Sequence, residues 1–368
     1  MRLPAIWRRR GFALGVGIAL AGAAALGAAI VLSGVYNVAA SVEHIPITDR
    51  LLKLVLRRSV DTHSAGIEVP ELDDPGLARL GARHFAAGCE PCHAGPGLRQ
   101  SPVAAAMYPA PPPLDGRVAG WEAKELFWIV RHGFKFTGMP QWPGAGRDDE
   151  VWPVVAFLRR LPGMSSGEYA ELTGREGAQT VAAGCALCHG DGDAGQAPVA
   201  DPAPALQGQN QAYLLRVLAE YASGTRQSGM MEAIAAGLLP AERERLARDF
   251  AAMPPPAAGD AAQRDPGAVE RGATIAAKGV ARQNVPPCLA CHSGRKSPQF
   301  PRLEGLSAGY IGNQLRLFRD GVRGGTPYGS IMAPIAGRLT DRQIEDAAAY
   351  FSSRVGPGIA ADADEAAR

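Results

Sequence analysis

The chain has no cysteine to spare. Its six cysteines all fall in three Cys-x-x-Cys-His pentads, Cys89–His93, Cys185–His189 and Cys288–His292, so none is left to act as an isolated thiolate ligand. Aromatic residues are scarce, at 6%, and no stretch alternates strictly between apolar and polar residues. These two shortages argue against a large β-sheet core and for short helices and long loops, which the abundant Ala, Gly and Pro suit. The net charge of +2 nominates neither nucleic acid nor a strongly acidic partner. No nucleotide or quinone motif is present.

Only one long apolar run occurs. Arg2, Arg8, Arg9 and Arg10 precede the uncharged stretch Gly11–Ala40, in which Phe12–Val35 is almost wholly apolar or Gly. A spanning helix needs about 20 such residues, a signal-peptide core about 7–15. Residues 1–40 are therefore expected to form a transmembrane anchor, with cleavage at Val38-Ala39-Ala40 as the alternative. The arginines place the N-terminus in the cytoplasm and everything after Tyr36 across the membrane. For a bacterial inner membrane, that side is the periplasm. Residues 41–68 form a juxtamembrane segment. Within it, Asp49–Val60 sets Leu51, Leu52, Val55 and Leu56 against Arg50, Lys53, Arg57 and Arg58. It either lies on the membrane surface or packs on the first downstream domain.

Each pentad is the attachment pattern of c-type haem. Two thiols form thioethers with the porphyrin vinyl groups, and the adjacent His takes the iron. Zinc is the competing reading, but structural zinc sites pair two such half-sites or add a distant His pair. Here each pentad stands alone in its segment. The expected cofactors are three covalently bound haem c groups, on Cys89 and Cys92, Cys185 and Cys188, and Cys288 and Cys291. His93, His189 and His292 are then the proximal iron ligands, and no residue is assigned a catalytic role.

The three segments share more than the pentad. Pro112–Gly116, Pro204–Gly208 and Pro301–Gly305 each read Pro-x-Leu-x-Gly. Five residues after each Gly stands an aromatic: Trp121, Tyr213 and Tyr310. Helical patterns then run to Gly133, Gly224 and Gly321, and methionines follow at Met139, Met231 and Met332. A last helix ends in Phe157, Phe250 or Tyr350-Phe351. Such a period means three copies of one supersecondary unit. Thr340–Gln343 is a capping box, and Asp148–Glu150 puts negative charge at the equivalent helix start. Ala78–Ala87 and Val269–Lys278 read as helices before their pentads. The expected fold is all-α: three tandem domains at 69–161, 168–253 and 264–354 behind the transmembrane helix. Pro162–Gly167 is read as a linker, Pro254–Gly259 as a stiff connector, and 355–368 as a disordered tail.

The sixth iron ligand separates electron transfer from chemistry. A Met thioether raises the potential and blocks small ligands, whereas an open position invites peroxidase or reductase activity. Met139, Met231 and Met332 are the expected distal ligands, with Met230 the alternative to Met231. Met107 and Met253 are read as packing residues, and Met164 as part of the linker. His132 is the rival to Met139, but the other segments have no counterpart, which leaves it as a helix-end residue. The Pro carbonyl of each Pro-x-Leu-x-Gly either accepts the proximal His Nδ1–H or merely turns the chain.

These residues resemble the class I bacterial c-type cytochromes. The second and third segments are similar to the paired domains of di-haem cytochromes c, through Gly208-Gln209 to Tyr213 and through Gly321-Val322-Arg323 to Met332–Ala336. The first is similar to membrane-tethered mono-haem cytochromes, through Arg131–Pro140. The second segment departs by lacking residues matching Thr326–Gly329. The resemblance implies an all-α haem fold and single-electron transfer in a respiratory or periplasmic dehydrogenase chain. Its implied partners are a dehydrogenase, an oxidase or a soluble cytochrome. The alternatives are a multi-haem enzyme of peroxidase or sulfur-compound oxidase type, or a cytochrome subunit of a larger complex.

Overall fold

The computed structural model describes residues 5–174, 180–190, 203–255, 265–293 and 297–354. The expected tail at 355–368 and most of the expected connector, 256–259, lie outside the described residues. Among those described, the fold is helical. Its one pair of bridged extended residues is Val280 and Val285.

The first helix, α1 (Ala5–Ser33), is long and apolar enough to cross a membrane over Phe12–Ser33, with mean hydropathy 2.2 and none of that stretch buried. The next, α2 (Pro46–Ser64), is divided between two surroundings. Its C-terminal half packs on the first pentad segment: Val60 and Ser64 are buried, and Arg57 lies 4.1 Å over the Trp121 ring while donating to the Gly120 carbonyl at 2.9 Å. Its N-terminal half leaves Leu51, Leu52, Leu54 and Val55 exposed.

The first segment holds α3 (Pro75–Gly88), α4 (Glu90–His93), α5 (Pro102–Ala105), α6 (Ala123–His132) and α7 (Asp148–Arg160). Asp74 caps α3 by accepting the Gly76 N–H at 2.8 Å, and Pro75 opens it, where its missing N–H costs nothing. The packing that organises the segment is the crossing of α3 over α7. Gly81 allows it: a Cβ there would sit 1.8 Å from the Pro153 carbonyl oxygen. Phe85 and Phe157 meet at 5.2 Å, both fully buried, and each such side chain contributes about 1.5–3 kcal/mol. The segment read as a linker runs straight into α8 (Ser166–Thr173), started by a Ser165–Glu168 capping box. Tyr169 of α8 and Met164 before it belong to the first core, where Tyr169 packs on Phe85 and Phe157.

The second segment contains α9 (Val181–His189), α10 (Gln211–Ala222), α11 (Met231–Ala236) and α12 (Pro240–Ala252). Its buried core is small, made by Leu214, Leu246, Ala247 and Phe250. The third segment repeats the plan of the first. Its α13 (Pro266–Lys278) starts with Asp265 accepting the Gly267 N–H, as Asp74 does in α3. It crosses α17 (Asp341–Ser352) at Gly272, where a Cβ would lie 1.9 Å from the Asp346 carbonyl oxygen. Between them lie α14 (Leu289–His292), α15 (Ala308–Arg319) and α16 (Gly329–Ala336). The expected Thr340–Gln343 capping box opens α17.

The helices α6, α10 and α15 all lead into glycines with positive φ, at Gly133 (60°), Gly224 (69°) and Gly321 (80°). Glycine takes positive φ without strain, and it stands at all three turns toward the methionines, directly ending α6 at Gly133 and one residue past the caps Ser223 and Asp320 in the other two. The second and third segments are joined by paired hydrogen bonds. Gln209 donates to the Arg302 carbonyl at 2.9 Å and accepts the Arg302 N–H at 2.7 Å, while Asn210 donates to the Phe300 carbonyl at 2.7 Å.

Candidate functional site

The three pentads share one geometry. Each runs through a helix ending in its histidine, α4, α9 or α14, with Cys185 inside α9 and Cys89 and Cys288 at the N-caps of α4 and α14. The His ring is then fixed by a proline carbonyl from the loop that follows. His93 Nδ1 lies 2.9 Å from the Pro112 oxygen, His189 Nδ1 lies 2.7 Å from that of Pro204, and His292 Nδ1 lies 2.9 Å from that of Pro301. These are the prolines of the three Pro-x-Leu-x-Gly motifs, which resolves their role in favour of the hydrogen bond. A carbonyl can only accept, so Nδ1 carries the proton and Nε2 keeps its lone pair for a metal. Burial lowers the pKa of His189 and His292 against the opposing pull of those carbonyls, and the neutral imidazole is the ligating form.

The cysteines are half-buried and form no disulfide. Cys89 packs against the first core, Cys185 against the second segment's and Cys288 against the third's. Burial, with Cys92 beside it, pushes the Cys89 thiol up to about 12, and burial takes Cys288 up to about 11. Burial also raises Cys185 and Cys188.

Loop hydrogen bonds hold the pentads in place. Gln100 donates to the carbonyls of Cys92 and Pro111, and Gln207 to that of Gly190.

The three methionines are all half-buried but sit on different local structures. Met139 lies in a tight loop, as its Gly and Pro neighbours lead one to expect. Its N–H donates to Thr137 Oγ1 at 3.1 Å, and its carbonyl accepts the Phe134 N–H at 3.2 Å. Met231 instead opens α11, and Met332 lies within α16. Their Ala- and Ile-rich surroundings favour helix over loop. Met230 packs against the first segment's core, which separates it from Met231. Met107 reaches Gly138 in the Met139 loop, and Met253 packs on the second segment's core. His132 is exposed at the end of α6, beside the Trp128 ring.

Sequence reasoning passed over two arginines. Arg226 is 5% exposed, lies 4.6 Å over the Tyr221 ring, and its Nε has no hydrogen-bond partner among the described residues. Arg323 takes the equivalent position, two residues after Gly321 as Arg226 follows Gly224. Burial works against charge on both; the facing Tyr221, Tyr213 and Tyr310 outweigh it at Arg226, whose pKa is raised, while burial with Arg226 nearby leaves that of Arg323 lowered. The signal was this shared offset from the helix-ending glycines.

The donor set fits haem c better than zinc. Among the described residues no three His, Cys, Asp or Glu side chains converge on one point. Each pentad instead offers two thiols for vinyl groups and one oriented imidazole for iron. The orphaned Arg226 Nε offers a donor to an anionic group such as a haem propionate.

Comparison with known proteins agrees. Residues 76–158 match the family described as cytochrome c oxidase, cbb3-type, subunit III. The thiosulfate dehydrogenase electron acceptor of Stutzerimonas stutzeri is 33% identical over 207 residues, covering 55% of this chain and 94% of that protein. Cytochrome c4 of Azotobacter vinelandii is 32% identical, covering 47% of this chain and 85% of that protein. Among solved structures, cytochrome c4 of Acidithiobacillus ferrooxidans matches with a TM-score of 0.41 and 32% identity, covering 46% of this chain and 97% of that one. The pentads, the oriented histidines and these relatives together place the chain in the class I bacterial c-type cytochromes, the family that includes cytochrome c4.

Proposed function

We propose that this chain is a membrane-anchored tri-haem cytochrome c that relays single electrons on the periplasmic side of a bacterial inner membrane. The observation that carries the reading is the threefold recurrence of one arrangement: a half-buried Cys pair and a His whose Nδ1 is held by a proline carbonyl. In this reading Cys89 and Cys92, Cys185 and Cys188, and Cys288 and Cys291 hold three haem c groups. When bound, such a group supplies a one-electron couple at its iron. His93, His189 and His292 bind from the proximal side, and Met139, Met231 and Met332 close the distal side against small ligands. Met230 is engaged with the first core, which favours Met231. The prolines keep the imidazoles basic and correctly turned.

The anchor is α1. The exposed leucines of α2 lie beside it in sequence and suit a membrane surface. Three domains follow, the first extended from 69–161 to include α8, whose Tyr169 packs in its core, the second ending at 253 and the third spanning 264–354. A relative named a thiosulfate dehydrogenase electron acceptor makes a sulfur-compound dehydrogenase the first donor to test.

Denaturing electrophoresis with haem staining, combined with an alkaline pyridine spectrum, tests the stoichiometry. Three haems per chain are expected, and fewer would overturn the tri-haem reading. Carbon monoxide added to the reduced protein should leave its spectrum unchanged. Rapid binding at one haem would point instead to an enzyme with an open iron.

A further inference from the structure

The second segment's methionine turn is four residues shorter than the third's between glycine and methionine. In the third segment the longer turn braces itself. Thr326 Oγ1 accepts the Gly329 N–H at 2.9 Å, and the Thr326 carbonyl accepts the Ser330 N–H at 2.9 Å. Gly329 packs so tightly on this turn that a Cβ would lie 2.2 Å from the Arg323 carbonyl oxygen. The second segment's shorter turn is braced by a serine in the same pattern: Ser228 Oγ accepts the Met231 N–H at 3.0 Å, and Glu232 Oε1 accepts the Ser228 N–H at 2.7 Å.

That serine is itself held from the first segment. Glu150, in the first turn of α7, is 5% exposed. Its Oε1 accepts the Ser228 hydroxyl at 2.6 Å, and its Oε2 accepts the Gly229 N–H at 2.6 Å and the Trp142 Nε1–H at 3.3 Å. The Ser228 oxygen in turn accepts the Met231 N–H at 3.0 Å. Arg147 anchors the carboxylate from behind, with Nη2 2.8 Å from Glu150 Oε1. The same guanidinium donates to the Gln227 carbonyl at 2.8 Å and to both oxygens of Asp149. Burial opposes charge on Arg147, but Glu150 and Asp149 outweigh it and its pKa is raised. Gly229 lies against the Trp142 indole, where a Cβ would come within 2.1 Å of Nε1.

We propose that the first segment is a working part of the second segment's distal side: Glu150 clamps the Ser228-Gly229 turn and thereby positions Met231. The proposal deepens the tri-haem reading and rests on it. Glu150 is a positioning residue, since it acts through Ser228 and touches neither methionine sulfur nor iron. In the fused arrangement a carboxylate with four donors fixes the serine that the shorter turn depends on, whereas among the described residues Thr326 of the longer turn has no such carboxylate partner in its hydrogen bonds.

The test uses the full chain in detergent with its haems attached, followed by redox titration and by the sulfur-to-iron absorption of the ferric protein. Met231→His assigns the wave of the second haem. Glu150→Gln removes the charge and one acceptor site. Gly229→Ala wedges the turn away from Trp142. Both variants should lower that one potential and remove one haem's share of the sulfur-to-iron band, leaving the first and third haems unmoved. They should also open one haem to carbon monoxide. Ser228→Ala is the mildest variant and keeps the test available if Gly229→Ala does not fold. Added to Glu150→Gln, it should cause little further shift, because both cut one link. Thr326→Ala should act on the third haem alone, and Glu150→Asp should recover part of the loss. Unchanged potentials and band in both Glu150→Gln and Gly229→Ala would overturn the proposal, as would a shift confined to the first haem. A different result would overturn only the axial assignment: Met230→His moving a wave that Met231→His leaves still. The effect of Glu150→Gln on that same wave would then decide the brace.

Discussion

The second and third segments carry the same motifs in the same order, yet they are stabilised differently. The third has a helix crossing sealed at Gly272, a buried Asp346 carboxylate paired at 2.8 and 2.9 Å with the exposed Arg271, and a capped last helix. The second has a small core of its own, and its methionine turn is held by hydrogen bonds from the first segment. A repeated sequence pattern therefore does not guarantee repeated self-sufficiency.

Three changes would break or sharpen this contrast. The largest is Gly272→Ala. The new methyl group would meet a backbone oxygen rather than a flexible side chain, so we expect a loss of about 3 kcal/mol in the third segment, at the upper end for overpacking. Calorimetry should show that transition falling while the second segment's spectrum is preserved.

Acid should act in the opposite order. His84 is buried against Trp142, beneath the Arg147–Glu150 clamp, and burial holds its pKa down to about 4, with Arg147 adding to the effect. The unfolded chain, with an ordinary value near 6.5, takes up the proton first. Stability of the first segment is therefore full above about pH 6.5, falls as pH drops toward 4 by of order 3 kcal/mol, and flattens below. Spectra recorded across that window should show the second haem's sulfur-to-iron band fading before the third's.

The smallest change concerns the last helices. Thr340 caps α17 eight residues after Met332, whereas Leu239 occupies the same offset from Met231 and is exposed. Thr340→Ala should cost the third segment about 1 kcal/mol, and Leu239→Thr should add a similar amount to the second. Chemical denaturation of each variant would measure both.

Much of the site was legible because its chemistry is local. The pentads place thiols and imidazole close together in the chain, whereas the proline carbonyls reach Nδ1 across 19, 15 and 9 residues, so that contact stayed open until the fold closed it. The Asp-Pro-Gly starts at Asp74 and Asp265 were equally visible in the chain, although apolar periodicity alone placed those helices three residues late. The linker reading of Pro162–Gly167 erred in weight rather than in kind. Gly and Pro mark the turn, but only packing reveals that Tyr169 beyond it closes the first core.

What the sequence determined by itself was the helical class, the apolar N-terminal run and the three Cys-x-x-Cys-His pentads. Each of these depends on neighbours within a few positions, where backbone geometry fixes who can meet whom. The tertiary structure alone decided that Asp148-Asp149-Glu150 is more than helix-start charge, and that Met230, unlike its chain neighbour Met231, packs against the first segment's core. Glu150 and Ser228 are separated by nearly eighty residues. No local rule relates them: their contact arises only when two folded surfaces exclude water between them, and a buried carboxylate must then find every donor it can.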